Sequence, residues 1–215
     1  MKKINFLKSI AQKKRQVKTR KKFKSKDVIQ IARKFGKEYF DGSRMFGYGG
    51  YYYDGRWKKV VNDFINYYKL KPGDKVLDIG CAKGYLVKEF LDKKIDAYGL
   101  DISQYAIDNS IEEIKKYLSV GNANYLPFED NSFDVVISIN TIHNLDIEEC
   151  ALAIREIERV KKKHSYIIVD AYRTVEEKQR MYDWNLTAKT IMSADEWAKF
   201  FRDNNYTGEY FWFIP

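Results

Sequence analysis

The segment Val76-Leu77-Asp78-Ile79-Gly80-Cys81-Ala82-Lys83-Gly84 decides the fold of this 215-residue chain. Its apolar first half predicts a central strand over 75–79, and the following Tyr85-Leu86-Val87 predicts that a helix begins directly after the turn. The two glycines let the backbone turn sharply and come close to a ligand, and the helix N-terminus offers free N–H groups there. The segment therefore predicts a ligand site at a strand-to-helix turn.

The spacing of the two glycines separates this turn from other nucleotide-binding loops. A dinucleotide fingerprint requires Gly-x-Gly-x-x-Gly, and a P-loop requires Gly-x-x-x-x-Gly-Lys-Ser/Thr. The sequence here is Asp-x-Gly-x-x-x-Gly. The acid Asp78 just before the glycines suits a ligand with a cationic amino group better than it suits a diphosphate.

Strands and helices alternate from residue 71 to residue 215. The sequence predicts strands over 75–79, 96–100, 134–139, 166–170 and 209–214, a weak strand over 119–122, and helices over 85–91, 104–116, 147–161 and 194–204. Such alternation predicts an α/β fold, a doubly wound and mostly parallel sheet with helices on both faces. Ligands bind such sheets at the carboxyl ends of the strands.

Two further zones precede this domain. Residues 1–26 carry twelve Lys and Arg and no acid, so the rest of the chain has 39 − 12 = 27 basic against 30 acidic residues. Residues 27–215 are therefore close to neutral, which argues against a broad nucleic-acid-binding surface on this part of the chain. The basic tail is expected to be a solvated, partly disordered arm that contacts an anionic partner. That partner is a nucleic acid, a lipid surface or an acidic protein.

Residues 27–70 are expected to form a helical and Gly/Tyr-rich cap segment. Helices are predicted over 27–35, capped by Ser25 or Asp27, and over 56–68. Between them, five glycines lie among aromatic residues over 39–57, which excludes a regular helix and favours tight turns.

A second acid strengthens the ligand site. Asp101 ends the second predicted strand, 17 residues beyond Gly84. A carboxylate there can accept both hydroxyl groups of a ribose. The alternative is that Asp101 only caps the helix that starts near Ser103.

With these motifs in order, the chain resembles the class I (Rossmann-like) S-adenosylmethionine-dependent methyltransferase family over about residues 71–170. The segments 76–84, Asp101 and 121–136 carry the resemblance. It implies S-adenosyl-L-methionine as the cofactor, with S-adenosyl-L-homocysteine as its product. The residues it implies around the cofactor are Asp78, Gly80, Cys81, Ala82 and Gly84 at the methionine part, Asp101 and Ile102 at the ribose and adenine, Asn122 and Ala123 at the adenine edge, and Asn140 beside them.

The chain departs from this family at two places. Asn122 stands where many relatives have Asp, and an Asn carbonyl oxygen can still accept from an adenine amino group. The segment 160–165 replaces a Lys-Pro-Gly-Gly turn, and the sequence predicts one strand fewer than the family's final strand pair. The C-terminal edge of the sheet is therefore expected to be reduced, or completed by another chain such as a homodimer partner.

Candidate residues for the methyl acceptor lie on the same edge. His143 follows the fourth predicted strand and is the candidate general base, since its pKa suits proton transfer near neutrality. The alternative is a structural histidine that hydrogen-bonds a neighbouring loop. Arg173 suits a carboxylate or phosphate group, or else forms an ion pair in a surface loop. The other candidates for substrate binding are Asp170, Tyr172 and Trp184, together with a lid formed by Tyr48, Tyr51, Tyr53, Arg56 and Trp57.

Three functions remain open from sequence. The leading interpretation is methylation of oxygen or nitrogen on a small polar metabolite, such as a sugar or nucleotide-sugar, in an enclosed pocket. The second is an RNA methyltransferase that uses the basic tail. The third is a non-catalytic, cofactor-binding partner subunit. Two isolated histidines and scattered acids predict no metal site. Two cysteines and no apolar stretch long enough for a transmembrane helix predict a cytoplasmic protein.

Overall fold

The computed structural model describes residues 1–10 and 15–214. Its strands are β1 Lys75–Ile79, β2 Asp96–Asp101, β3 Leu118–Val120, β4 Phe133–Ile139, β5 Lys161–Tyr172, β6 Met192–Ser193 and β7 Glu209–Phe213. Its α-helices are α1 Val17–Phe23, α2 Lys26–Arg33, α3 Lys37–Phe40, α4 Trp57–Tyr68, α5 Tyr85–Leu91, α6 Gln104–Asp108, α7 Ile147–Val160, α8 Val175–Trp184 and α9 Ala194–Asp203. Short 3-10 helices span Phe6–Ser9, Glu112–Tyr117 and Ile142–Asn144.

The strands form one parallel sheet in the order β3-β2-β1-β4-β5-β6, and β7 also pairs with β5. The chain winds outward in one direction from β1 to β3 and in the other from β4, so the strand order reverses between β1 and β4. In a doubly wound sheet this switch point is where ligands bind, outside the carboxyl ends of the strands. The predicted α/β fold is confirmed.

Helices cover both faces because the central strands are apolar on both sides. On one face, Phe64 of α4 and Phe90 of α5 pack against the sheet without exposed surface. On the other face, Ile154 of α7 and Trp197 of α9 do the same. The two clusters hold the sheet rigid, so the loops at its carboxyl edge are anchored at both ends.

Two predicted elements differ from those in the structure by more than two residues at one end. The helix predicted over 104–116 stops at Asp108, because the side chains of Asn109 and Ser110 bond back to the carbonyl groups of Tyr105 and Ile107 and compete with the helix. The strand predicted over 166–170 begins instead at Lys161, directly after α7, so no turn separates the two elements.

The N-terminal segment packs on the domain, which corrects the expectation of a solvated arm. Phe6 is 4% exposed, with its ring centroid 4.4 Å from that of Phe64 and 4.9 Å from that of Tyr166. The N–H of Ile4 donates to the carbonyl of Tyr210 at 2.9 Å, so residues 2–4 pair with the free edge of β7. The chain's own N-terminus therefore covers the edge that was expected to be reduced or completed by another chain. Residues 11–14 of the predicted tail lie outside the described residues.

Within the described part of the chain, no helix has the length and apolar character needed to cross a membrane.

Candidate active site

The glycine turn is held in a conformation that favours glycine. Gly80, Ala82 and Gly84 have positive φ angles of 79°, 52° and 73°. A Cβ atom at Gly80 would collide with the side chain of Thr141, so a larger residue is excluded there. The N–H groups of Gly80 and Cys81 both donate to the carbonyl of Leu100, at 2.7 and 3.2 Å. The turn is thus tied to the end of β2.

Cys81 contributes its backbone to the turn and its side chain to the core. The sulfur of Cys81 packs so close to Gly99 that a Cβ atom on residue 99 would lie 2.7 Å from it. Burial raises the pKa of the Cys81 thiol well above its usual value. The thiol therefore stays protonated and unreactive under neutral conditions. Only the main chain of Cys81 lies where a ligand could reach it.

Asp101 joins β2 to the glycine turn. Its Oδ2 accepts from the N–H of Ala82 at 2.7 Å, and its Oδ1 accepts from the N–H of Ser103 at 2.8 Å. Ser103 caps α6 with its own hydroxyl group, which accepts from Ala106, so capping does not require Asp101. Each carboxylate oxygen keeps a free lone pair that can accept from a hydroxyl group.

Asp78 is a buried carboxyl group without a donor. It is 5% exposed, and no group in the described residues hydrogen-bonds to its side chain. Burial, with a further contribution from the negative charge of Asp101, raises the pKa of Asp78 to about 8. A cationic group bound here would supply the missing partner and favour the ionised form.

The remaining predicted cofactor residues lie at the same edge. Asn140 follows β4 with a φ of 54°, and its Oδ1 is buried without a partner in the described part of the chain. Ile102, next to Asp101, exposes its apolar side chain, whereas Ala123 is buried. The Oδ1 of Asn122 accepts from the N–H of Asn124 at 3.3 Å, which holds that loop closed.

The cap segment packs directly on the glycine turn. Phe40 forms a buried cluster with Ala82 and Ala106. The ring of Tyr51 stacks on that of Tyr85 at 5.1 Å, and the ring of Tyr48 lies 4.5 Å from that of Tyr51. Tyr48 lies within electrostatic reach of Asp101, and Tyr51 within reach of Asp78. The structure therefore brings the predicted lid residues Tyr48 and Tyr51 to the site. It also brings Tyr39, which was not predicted and whose ring lies 5.1 Å from that of Tyr48.

Three other predicted lid residues are directed elsewhere. The hydroxyl group of Tyr53 donates to Glu89 on α5. The guanidinium group of Arg56 pairs with Asp54, with an Nη2–Oδ2 distance of 2.5 Å. Trp57 begins α4 and packs beside the core cluster under that helix. Their sequence position beside Tyr48 suggested a common face. The turn at Gly55 separates Arg56 and Trp57 from Tyr48, and the hydrogen bond to Glu89 directs Tyr53 toward α5.

His143 is buried between the ends of β4 and β5. It is 2% exposed, and its Nδ1 accepts from the N–H of Asp170 at 3.1 Å. Since Nδ1 accepts, the proton of the neutral ring is on Nε2, 3.7 Å from Oδ2 of Asp170. Burial lowers the pKa of His143 despite the nearby carboxylate, so the ring is neutral. This geometry favours the structural alternative over a free general base.

Two other residues on this edge also have internal partners. The guanidinium group of Arg173 is exposed and pairs with Glu177 at 2.6 Å, as in the surface-loop alternative. The hydroxyl group of Tyr172 donates to Glu196 at 3.4 Å. The carboxylate of Asp170, in contrast, is buried and accepts from the side-chain amide of Asn185, which follows Trp184.

Trp184 lies among three guanidinium groups that were not among the predicted site residues. The guanidinium carbons of Arg15 and Arg20 are each 4.7 Å from the centroid of its ring, and that of Arg44 is 5.5 Å away. One signal was present in the sequence: Arg15 and Arg20 are the two arginines in a tail whose other ten cations are lysines. Arginine stacks on aromatic faces, whereas lysine prefers water.

No group of three or more His, Cys, Asp or Glu side chains in the described residues could hold a metal ion.

Known proteins resemble this chain over most of its length. A family model described as methyltransferase domain matches residues 70–205. An uncharacterised protein of Methanocaldococcus jannaschii is 33% identical over 133 residues, which cover 61% of this chain and 49% of that protein. Phosphoethanolamine N-methyltransferase 3 of Arabidopsis thaliana is 26% identical over 159 residues, which cover 70% of this chain and 29% of that enzyme. The chain thus spans less than half the length of either relative.

A solved structure gives the same picture of the fold. A Haloferax volcanii chain in complex with the Trm112 methyltransferase activator superimposes with a TM-score of 0.52 and is 25% identical. The match covers 70% of this chain and 72% of that chain.

Proposed function

Because the chain belongs to the class I S-adenosylmethionine-dependent methyltransferase family, we propose that it methylates an oxygen or nitrogen atom of a small polar metabolite. A sugar or nucleotide-sugar remains a candidate acceptor. The observation that carries this proposal is the cap, whose Phe40 packs on Ala82 of the glycine turn. A turn covered in this way suits a small enclosed ligand better than a macromolecular strand.

The residues at the turn fit S-adenosylmethionine. We assign its amino group to Asp78, since the buried carboxyl group has no donor among the described residues. The ribose hydroxyl groups go to Asp101, the adenine to Ile102, Asn122 and Ala123, and a further polar contact to the unpaired Oδ1 of Asn140. When bound, S-adenosylmethionine supplies an electrophilic methyl group on its sulfonium.

His143 is better placed as a positioning residue than as a catalytic base. Its Nδ1 is occupied by the backbone of Asp170, and its Nε2 carries the proton. The ring holds the end of β5 in place and thereby positions Asp170. A nitrogen acceptor that arrives unprotonated needs no general base, so this arrangement supports nitrogen more than a hydroxyl group.

The RNA methyltransferase remains the second candidate, supported by one surface. Lys18, Lys21 and Lys22 of α1 are exposed, where phosphate groups can reach them, and Lys21 also forms an ion pair with Asp183 at 3.0 Å. Removing residues 1–26 would also remove the buried Phe6, so it is not a clean test. A Lys18→Gln/Lys22→Gln variant removes the charge and keeps the packing.

The proposal is tested by release of S-adenosylhomocysteine from the full chain, with a panel of small amines, sugars, nucleotide-sugars and phosphate esters, and with total RNA. We expect turnover with a small molecule and loss of that turnover in Asp101→Asn. Turnover on RNA alone, reduced in the Lys18→Gln/Lys22→Gln variant, would contradict the proposal in favour of the second candidate. Binding of the cofactor with no turnover on either panel would favour the partner subunit, for which a Trm112-type activator is the first partner to add.

We also propose a reducing compartment such as the cytoplasm, because Cys81 and Cys150 are both buried free thiols.

A further inference from the structure

Three arginines from separate parts of the chain meet at Trp184. Arg15 precedes α1, Arg20 lies within α1, and Arg44 belongs to the cap. Arg15 also stacks on Phe213, with its guanidinium carbon 3.5 Å from the ring centroid. The aromatic rings thus hold a compact group of three positive charges.

This group lies at the carboxyl edge of the sheet. Trp184 is the last residue of α8, which follows β5, and Phe213 pairs in register with Asp170 at the ends of β7 and β5. Arg15 lies within electrostatic reach of both Asp170 and Tyr48. The arginines are therefore near Asp170 at the end of β5 and near Tyr48 of the cap, which are both residues predicted to bind the acceptor.

Backbone carbonyl groups fix two of the three arginines. Arg20 is 8% exposed and donates to the carbonyl groups of Met45 and Gly47, at 3.4 and 3.2 Å. Arg44 donates to those of Gly47 and Tyr48, at 2.6 and 3.1 Å. These contacts orient the guanidinium groups, and neither group forms an ion pair with a carboxylate among the described residues.

Arg15 has no polar partner in the described part of the chain. It is half-buried and makes neither a hydrogen bond nor an ion pair there. Burial, together with the nearby cations Arg44 and Arg20, lowers the pKa of Arg15 to about 10, and the group is still charged at neutral pH. The carboxylate of Asp170 attracts Arg15 and partly offsets the effect of burial, but it forms no ion pair with Arg15 in the described residues and accepts from Asn185 instead. A partly buried cation of this kind calls for an anion.

We propose that Arg15, Arg20 and Arg44, arranged around Trp184, form a subsite for a phosphate or carboxylate group of the methyl acceptor. This inference rests on the proposed function and narrows its substrate class to small anionic metabolites. Arginine forks pair with both groups in a bidentate manner. The compact, partly buried arrangement fits one anionic group, whereas a nucleic acid or an anionic membrane would need an extended exposed surface.

The test is calorimetric titration of the full chain with inorganic phosphate, and separately with acetate, at constant ionic strength. Arg15→Gln removes a positive charge without breaking a hydrogen bond seen in the described residues, and Arg15→Lys keeps the charge. The matched control is Lys22→Gln, which removes one charge from the exposed face of α1. We expect phosphate affinity to fall at least about tenfold in Arg15→Gln and to change less than about threefold in Arg15→Lys and Lys22→Gln. Tighter binding of phosphate than of acetate identifies a phosphate ester as the acceptor, and the reverse identifies a carboxylate.

S-adenosylhomocysteine binding, measured on the same samples, separates this inference from the proposed function. Two outcomes would overturn the subsite alone while cofactor binding is retained. In the first, the chain binds neither phosphate nor acetate. In the second, Arg15→Gln and Lys22→Gln lose the same amount of phosphate affinity. Loss of cofactor binding by the wild-type chain would overturn the proposed function. The subsite would also be overturned if single-stranded RNA bound more tightly than phosphate and acetate, and if Arg15→Gln and Lys22→Gln weakened RNA binding equally.

Discussion

The carboxylate of Asp41 accepts two hydrogen bonds from the ammonium group of Lys83, at 2.7 and 3.0 Å, and so joins the cap to the glycine turn. The same carboxylate accepts from the hydroxyl group of Tyr105 at 2.7 Å and from the N–H of Tyr51 at 3.1 Å. Burial alone would raise the pKa of Asp41, but these hydrogen bonds hold it below its usual value. Asp41 is therefore a charged latch between the cap and the cofactor turn.

Opening this latch is expected to weaken cofactor binding. Asp41→Asn leaves the buried ammonium group of Lys83 without an anion, which costs about 1–3 kcal/mol in a partly buried setting. We predict an approximately tenfold weaker affinity for S-adenosylhomocysteine and faster proteolysis within residues 35–53. Calorimetry and limited proteolysis measure these two effects. Asp54→Asn, which breaks an exposed pair in the same segment, is the control, and equal effects of both variants would contradict the latch.

The latch also has a pH dependence with a defined sign. Because the pKa of Asp41 is lowered on folding, its stabilising contribution is complete above the pKa of the unfolded chain and disappears as pH falls through the lower folded value. Proteolysis of the cap in the wild-type chain should therefore be constant between about pH 5 and 8. A steep increase within that range would exclude Asp41 as its cause.

Asp78 should oppose stability while it supports binding. Its pKa is raised on folding to about 8, so the folded chain holds a proton that the unfolded chain releases, and stability falls as pH rises from about 4 to 8. Asp78→Asn removes this penalty. We predict that the variant is more stable than the wild type at pH 8, by roughly 1 kcal/mol or more, with a smaller difference at pH 5.

The same substitution should abolish the contact with the cofactor's amino group. S-adenosylhomocysteine affinity should fall about a hundredfold at pH 8, since a charged hydrogen bond is lost. Urea unfolding and calorimetry supply the two measurements. Asp96→Asn, exposed at the opposite end of the neighbouring strand, is the control. An Asp78→Asn variant that is destabilised at pH 8 or binds the cofactor normally would refute this assignment.

His143 can be tested by an isosteric replacement. In His143→Asn, Oδ1 can take the place of Nδ1 as acceptor for the N–H of Asp170, whereas His143→Ala leaves that buried donor unpaired at a cost of about 1–3 kcal/mol. If the residue positions the strand end, His143→Asn should keep kcat within about fivefold and His143→Ala should lose stability. The rates are measured on the acceptor that the metabolite panel identifies. A loss of 10²-fold or more in kcat for both variants would restore His143 as the general base.

The N-terminal segment should contribute to global stability. Phe6→Ala removes a ring that is 4% exposed and touches Phe64 and Tyr166, so we predict a loss of about 3–5 kcal/mol in the free energy of unfolding. Phe23→Ala, at a ring that is 54% exposed, should change it by less than about 0.5 kcal/mol. Urea titration measures both. If Phe6→Ala changed the free energy of unfolding as little as Phe23→Ala does, the N-terminal segment would not be part of the core.

The central half of the fold was predictable because its signals are local. The strand Lys75–Ile79 and the helix Tyr85–Leu91 have the predicted bounds, since an apolar run and a glycine turn delimit them. The helix Val175–Trp184 was missed because its surface is largely polar. Thr174 nevertheless caps it by accepting from the N–H of Glu177, and the Thr-x-x-Glu pattern would have indicated its start.

The acceptor side was less predictable because it is assembled from distant segments. Arg15 and Trp184 are 169 positions apart, and nothing local connects them. The tail was interpreted through its net charge, which hides the fact that Phe6, Val17 and Arg20 are buried. His143 was correctly placed at the ligand edge, but its hydrogen bond to the backbone of Asp170 depends on the tertiary approach of two strand ends.

Calorimetric titration of the full chain with S-adenosylhomocysteine tests most directly whether the glycine turn binds the cofactor. We predict one site per chain with a Kd of roughly micromolar order. Binding should be at least about a hundredfold weaker in Asp101→Asn and unchanged in Asp96→Asn, which lies at the other end of the same strand. No binding by the wild-type chain, or equal binding by Asp101→Asn, would contradict a cofactor site at this turn.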